Sequence, residues 1–236
     1  MVRSAFARRI AAAFAIFLTL TACSGTFGGR VREQVHRTVA AGAAPAVEIE
    51  NVAGTVRVVG WAKPIVDVQA TKYGYDAVKL RSVAVDVTRQ ADGVSIVTHY
   101  GNDAHGGGVR YRVSVPIDAS LRISNDAGAV DLAGVLGDLT VQTEAGEITA
   151  DAGRVDGNRS IDLRATTGAI TLNIGPGSSA TVQASSTVGD FASDVPGVTE
   201  TREHIVGARG SGTIGTGSGR IRLETTTGAI ALRQRP

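Results

Sequence analysis

From residue 121 to the end of the chain, apolar and polar residues alternate in short runs. Ile170, Leu172 and Ile174 recur at every second position, and Thr171 and Asn173 occupy the positions between them. Because successive side chains of a β-strand point to opposite faces, this pattern predicts strands with one buried and one wet face. Weaker runs of the same kind lie between the stronger ones, at Leu139 to Val141, Ile161 to Leu163, Thr181 to Gln183 and Ile221 to Leu223. The pattern therefore predicts two strands in each repeat.

A glycine precedes each stronger run and recurs every 16 to 23 residues. These turn glycines are Gly128, Gly146, Gly168, Gly189, Gly212 and Gly228. A period of about 20 residues is typical of repeat proteins, in which one repeat cannot bury its own apolar face and must stack on the next. We therefore predict an all-β fold, a β-solenoid or β-helix of about six two-strand coils over residues 121–236. Each turn glycine is predicted to have a positive φ.

Two further features concern how the coils stack. The segment from Thr166 to Leu172 closely matches the segment from Thr226 to Leu232, 60 residues later, which we interpret as a displacement of three coils. An inward isoleucine follows several turn glycines by two residues, and these side chains are predicted to form one stacked row: Ile148, Ile170, Ile214 and Ile230.

Residues 46–120 have longer alternating runs and more varied turns, which predicts an N-terminal antiparallel section that caps the first coil. Asp92-Gly93 lies between two such runs and predicts a hairpin. At the other end, the last strand continues directly into Arg233-Gln234-Arg235-Pro236. Charges and a proline discourage further strand pairing, so this tail is predicted to protect an open edge. The alternative is that the edge pairs with a partner.

The first 22 residues have the composition of a secretory signal peptide. Arg3, Arg8 and Arg9 precede an 11-residue apolar run from Ile10 to Leu20, which is too short to span a bilayer. Leu20-Thr21-Ala22-Cys23 resembles the lipobox of bacterial lipoproteins, and this resemblance implies that Cys23 is acylated and becomes the first residue. Residues 23–45, rich in glycine and small residues, are predicted to be the lipidated cysteine and a flexible tether.

Removal of the signal peptide changes the charge balance. Of the 24 Lys and Arg residues three are in the leader, so 21 remain against 22 acidic residues, and the net charge changes from +2 to −1. A chain this close to neutrality lacks the basic character of a nucleic-acid-binding protein. We therefore expect no nucleic-acid partner.

Candidate chemistry is sparse. His99 and His105, with Asp103 between them, could form a small metal site, but a solvated loop is the favoured interpretation. Asp126, Glu144, Glu147 and Asp151 lie in or beside consecutive turns and could line one side of the solenoid, as carboxylates do in β-helical polysaccharide enzymes. The glycine-rich run from residue 210 to 219 has no Asp to bind calcium. We expect no catalytic residues, metal or cofactor.

The run from Tyr111 to Pro116, then Leu121-Arg122-Ile123 and the Gly-x-Ile repeats, resembles the bacterial putative-adhesin family of unknown function. This resemblance covers the chain from about Ala46 and implies an exported or membrane-anchored β-solenoid. It supplies no catalytic residues.

Three functions remain open at this point. The first is a non-catalytic, lipid-anchored envelope protein that presents a binding or assembly surface to a protein or glycan. The second is a polysaccharide-active enzyme, which requires two carboxylates beside Arg or Lys. The third is a carrier of an apolar molecule, which requires a hollow core. The expected location is the outer membrane in a Gram-negative cell, and otherwise the outer face of the cell membrane.

Overall fold

The structure is a computed structural model that describes residues 31–101, 107–203 and 207–235. These residues form two β-sheets and one short helix, α1 (Ala77–Arg81), and the strands are numbered in chain order. The first sheet contains, in spatial order, β1 (Val31–Ala40), β4 (Ile65–Gly74), β7 (Gly108–Pro116), β3 (Val56–Trp61), β9 (Val130–Ala133), β11 (Ile148–Gly153), β13 (Ile170–Ile174), β19 (Ile230–Gln234) and β15 (Phe191–Ser193). The second contains β16 (Val198–Glu203), β17 (Gly207–Ile214), β14 (Ala180–Val188), β18 (Gly219–Thr227), β12 (Ser160–Thr167), β10 (Leu139–Ala145), β8 (Ser120–Ala127), β2 (Ala46–Ala53), β6 (Gly93–Tyr100) and β5 (Val83–Arg89).

Each coil contributes one strand to each sheet, and neighbouring coils pair in parallel. Six coils turn from the second sheet into the first at a glycine, and they are β2/β3, β8/β9, β10/β11, β12/β13, β18/β19 and β14/β15. The strands β6 and β7 add another parallel layer beside β2 and β3. The fold is a β-solenoid, as the repeat pattern predicts.

The inward side chains of both sheets form one aliphatic core. Parallel pairing in register at the start of these strands stacks equivalent residues, so one row contains Val56, Val130, Ile148, Ile170, Ile230 and Phe191. All six are buried. The prediction that Ile214 belongs to this row is wrong, because it lies at the end of β17 in the opposite sheet, where it pairs with Ala180.

The turn glycines form a ladder. Gly128, Gly168, Gly189 and Gly228 have φ angles from 128° to 150°, and the φ of Gly146 lies outside this glycine-favouring range. An added Cβ on any of these five would lie closer than 3.0 Å to the carbonyl oxygen of the glycine in the adjacent coil. Close backbone approach therefore excludes every other residue type, even at Gly146.

One predicted member of this ladder is wrong and one was missed. Gly212 lies inside β17, where it pairs with Val182 of β14 and Val198 of β16. Its place is taken by Gly54, which stacks beside Gly128 and has a φ of 128°.

A row of mostly polar, buried side chains runs beside the glycine ladder. Its members, one from each coil, are Asn51, Asn125, Thr143, Ala165, Thr225 and Ser186. Three of them donate to turn-glycine carbonyl oxygens: Asn125 to Gly128 at 2.8 Å, Thr225 to Gly168 at 3.0 Å and Ser186 to Gly228 at 2.8 Å. The hydroxyl of Thr143 is buried and has no hydrogen-bond partner among the described residues. The row thus supplies hydrogen-bond donors to backbone carbonyl oxygens of the turns, since an unpaired buried oxygen would be costly.

The order of the coils in space differs from their order in the chain. After β12 and β13 the chain builds β14 and β15, then the antiparallel pair β16 and β17, and it returns to place β18 and β19 between the two earlier coils. The matching segments that begin at Thr166 and Thr226 are therefore direct neighbours, and the interpretation as three coils apart is wrong.

Because β18 and β19 lie between earlier coils, the last strand of the chain is not an edge strand. β19 is paired on both sides, by β13 and β15, so the predicted open edge at the last strand is wrong. Arg235 instead reaches back and forms an ion pair with Asp151. The edge strands at this end are the short β15 in one sheet and β16 in the other.

The N-terminal part differs most from its prediction. Strands β1, β4 and β5 make only antiparallel pairs, β2 and β3 make only parallel pairs, and β6 and β7 pair in parallel with the solenoid on one side and antiparallel on the other. The hairpin at Asp92-Gly93 is confirmed, since β5 and β6 flank it and pair antiparallel. The tether predicted over residues 23–45 is wrong for residues 31–40, which form β1 along the whole length of β4. Buried Lys72 of β4 fixes this strand through a 2.8 Å ion pair with Glu33.

The glycine ladder gives a direct test with a matched control. Gly157 also has a positive φ, at 60°, but an added Cβ there meets nothing within 4 Å. Gly157→Ala should therefore cost only the backbone strain, about 1 to 2 kcal/mol. Gly168→Ala should cost about 3 kcal/mol or more, because strain of about 1 to 3 kcal/mol is joined by overpacking against Gly146. Urea titration measures both, and equal losses would contradict the close approach.

Candidate binding surface

The outer face of the second sheet is a continuous polar surface. Its rows follow from the in-register pairing that stacks the core, so each outward side chain lies beside its equivalent on the next strand. One such row contains Ser124, Gln142, Arg164, Glu224 and Ser185. The stacked coils thus present a regular array of hydrogen-bonding side chains.

A shallow hollow of about 570 Å³ lies on this face, where the strands approach the glycine turns. Besides the row above, its lining includes Asp126, Glu144, Thr166, Thr187 and Thr226. We call this the polar hollow. None of the lining residues is aromatic, so the hollow has no platform on which a sugar ring could stack.

A chain of ion pairs crosses one side of the polar hollow. Arg164 donates to both carboxylate oxygens of Asp162 at 2.8 Å and lies 3.7 Å from Glu224. Arg222 donates to the same Glu224 carboxylate at 2.6 Å. The hydrogen bonds to Asp162 are the main cause that raises the pKa of Arg164, and they outweigh its slight burial. These groups largely neutralise one another.

The four carboxylates singled out in the sequence do not lie together. Asp126 and Glu144 line the polar hollow on adjacent strands. Glu147 lies at the start of β11, where it accepts a 3.4 Å hydrogen bond from Thr149, and Asp151 is paired with Arg235. The expectation of one common side is therefore wrong for Glu147 and Asp151, because the turn carries the chain from one sheet to the other between Glu144 and Glu147.

The histidine positions can be followed only in part. His99 lies 3.4 Å from Asp86, whereas Asp103 and His105 fall outside the described residues. His36 is 2.6 Å from Asp67. Across the described ranges, no group of three or more His, Cys, Asp or Glu side chains is arranged to hold a metal ion.

The predicted lipidation site, Cys23, also lies outside the described residues. In the part of the chain that the structure covers, no helix is long and apolar enough to cross a membrane.

Sequence reasoning missed the buried polar row, although a signal for it is present. A Ser, Thr or Asn stands three residues before most ladder glycines, as in Asn51 before Gly54 and Thr143 before Gly146. Arg209 occupies this position before Gly212. This pair of positions distinguishes Gly54 from Gly212, and Ala165 before Gly168 is the exception among the ladder glycines.

A parallel two-sheet solenoid with a filled core and polar outer faces defines a class of repeat proteins. A family model described as Toastrack DUF4097 matches residues 114–233, and the chain belongs to this family. The resemblance to the putative-adhesin family is thereby confirmed.

A solved structure shares the fold. A putative cell adhesion protein from Clostridium sporogenes superposes with a TM-score of 0.60 at 11% identity, covering 87% of this chain and all (100%) of that one. Putative adhesins from Bacteroides fragilis and Parabacteroides merdae give TM-scores of 0.29 and 0.28 at 11% and 10% identity, over 86% of this chain and 97% and 96% of theirs. These two scores are too low to support an argument. A search of curated proteins found no match.

Proposed function

We propose that the protein is a non-catalytic, lipid-anchored solenoid of the cell envelope that binds a surface protein or glycan through the outer face of its second sheet. The observation that carries the proposal is the polar hollow, which rests on five parallel strands in register. Such a surface is fixed before any partner arrives, so binding requires little ordering of the protein.

The interior argues against the carrier hypothesis. The inward rows are composed of Val, Ile and Leu that pack against one another in a single buried cluster. A ligand-binding solenoid would need space where these side chains lie.

An enzyme is the second candidate, because Asp126 and Glu144 lie in the same hollow as Arg164. This is the composition that acid and base catalysis on a glycan requires. Two features favour binding instead: Arg164 is already engaged by Asp162 and Glu224, and no aromatic ring lines the hollow.

The anchoring part of the proposal rests on Leu20-Thr21-Ala22-Cys23 and the short apolar run before it. Membership of a family with adhesin-like structural neighbours agrees with an envelope location. Two or three acyl chains would hold the protein on a membrane without any spanning helix, since each buried CH₂ contributes about 0.8 kcal/mol.

Site-specific photo-crosslinking tests the binding face. Benzoylphenylalanine in place of Gln142 lies in the polar hollow, and the same group in place of Thr149 lies on the outer face of the other sheet. In intact cells we expect adducts from position 142 and none from position 149. Absence of adducts at 142 would contradict the proposal. Depolymerisation of a glycan by the purified protein, lost in Asp126→Asn/Glu144→Gln, would establish the enzyme instead.

Metabolic labelling tests the anchor. The wild-type protein should incorporate a palmitate analogue, and Cys23→Ser should incorporate none, because Cys23 is the only cysteine of the chain. Membrane fractionation is not a substitute, since an uncleaved leader could also hold the variant on the membrane. Wild-type protein that stays unlabelled in cells that label other lipoproteins would overturn the anchoring.

A further inference from the structure

A second hollow, of about 680 Å³, lies on the outer face of the first sheet, across β1, β4, β7 and β3. Four arginines line it: Arg32, Arg57, Arg110 and Arg112. His36 is the other ionisable basic group in the lining, and none of the lining residues is acidic. We call this the arginine hollow.

Most of this positive charge has no carboxylate partner. Arg57 forms a 3.0 Å ion pair with Asp131, and His36 lies 2.6 Å from Asp67. The guanidinium of Arg110 stands 5.6 Å above the ring of Tyr73, which leaves its charge uncompensated. Arg32 and Arg112 have no ion pair with any carboxylate among the described residues. Three exposed arginines therefore face solvent together.

The register places like charges side by side on neighbouring strands. Arg57 and Arg112 occupy directly paired positions on the parallel strands β3 and β7, and Gln69 is the partner of Arg112 on the other side. Like charges directly opposite on neighbouring strands destabilise a sheet. A bound anion would remove this repulsion, and the planar fork of arginine suits the oxygens of a phosphate.

The hollow lies close to the start of β1, the first described strand, which follows Cys23 in the chain. β1 begins at Val31, next to hollow-lining Arg32. Cys23 precedes Val31 by eight residues, so the connecting chain can span at most about 28 Å. With acyl chains on Cys23, the start of β1 is confined to this distance from the bilayer surface.

We propose that the arginine hollow docks the folded domain onto anionic phospholipid headgroups of the membrane that holds its lipid anchor. The inference rests on the proposed lipidation of Cys23, which supplies the proximity. The hollow supplies the charge, because basic residues at a negatively charged membrane surface each add to binding. Docking would orient the molecule and leave the polar face of the other sheet free for its partner.

Vesicle binding of unacylated protein separates docking from anchoring. A chain that begins at Ser24 contains every strand described above and lacks the acylation site. Its binding is measured on phosphatidylcholine vesicles with and without phosphatidylglycerol. The test variant is Arg110→Gln/Arg112→Gln. The control is Arg122→Gln/Arg220→Gln, which removes the same charge from exposed positions on the other sheet.

We expect the protein to bind the phosphatidylglycerol vesicles selectively, and binding to weaken as salt is added. Each arginine contributes about fivefold in affinity, so the test variant should bind about 25-fold more weakly, while the control stays close to wild type. Equal losses in both variants, or no preference for phosphatidylglycerol, would overturn the proposal. Binding of soluble alginate with the same arginine dependence, without vesicle binding, would also overturn it and assign the hollow to an acidic glycan. If the unacylated chain binds vesicles selectively while the wild-type protein takes up no palmitate in cells, docking is supported and only the anchor is refuted.

Discussion

The backbones of adjacent coils meet at the glycine ladder, where no side chain fits between them. At Gly168 an added Cβ would overlap the carbonyl group of Gly146, and at Gly228 it would overlap that of Gly168. This contact sets the separation and the register of the coils at the sharp turn from one sheet to the other. The straight rows of the core and of the outer faces depend on that register.

Close packing at the glycine ladder buries backbone carbonyl groups that need hydrogen-bond donors, and the buried polar row supplies donors to several of them. Turn-glycine carbonyl oxygens lie against the glycine of the adjacent coil, and Asn125, Thr225 and Ser186 donate hydrogen bonds to three of them. Where the row contains Ala165, and where the Thr143 hydroxyl is unpaired, this compensation is incomplete. The turns are thus held by close packing and by side-chain hydrogen bonds together, which gives the outer faces a rigid base.

The two faces of the molecule are chemically different. The polar hollow on the second sheet has both signs of charge, and its arginine, Arg164, is engaged by Asp162 and Glu224. The arginine hollow on the first sheet carries cations without matching carboxylates and lies beside the start of β1. Separate faces allow the proposed membrane contact and the proposed partner contact to exist at the same time.

Much of the local structure could be predicted from the sequence, because alternation and glycine turns act over a few residues. The row through Ile148, Ile170 and Ile230 is one example. Gly212 was mistaken for a turn because Gly-Thr-Ile resembles the other repeats, whereas its neighbours place it in an antiparallel strand. Val31, Val35 and Val39 recur at every fourth position, and this spacing fits one face of a strand such as β1 as well as one face of a helix.

The order of the coils and the charge clusters could not be predicted in this way. Nothing local to Thr226–Leu232 shows that this coil lies beside β13, because strands of equal pattern fit the stack equally well at either end. The arginine hollow could not be predicted for a similar reason. Arg32, Arg57 and Arg112 are far apart in the chain and come together only through the pairing of β1, β4, β7 and β3.

Disulfide trapping tests the insertion of the last coil most directly, in a Cys23→Ser background that removes the only native cysteine. Thr171 pairs with Ala231, and Ala231 pairs with Ala192, so β19 separates positions 171 and 192. Adjacent strands lie about 4.8 Å apart, within the reach of a disulfide, whereas two strand spacings exceed the limit of about 7 Å. Thr171→Cys/Ala231→Cys should therefore crosslink under mild oxidation, and Thr171→Cys/Ala192→Cys should not. Crosslinking of the second pair but not the first would show that the coils stack in chain order and would contradict this account.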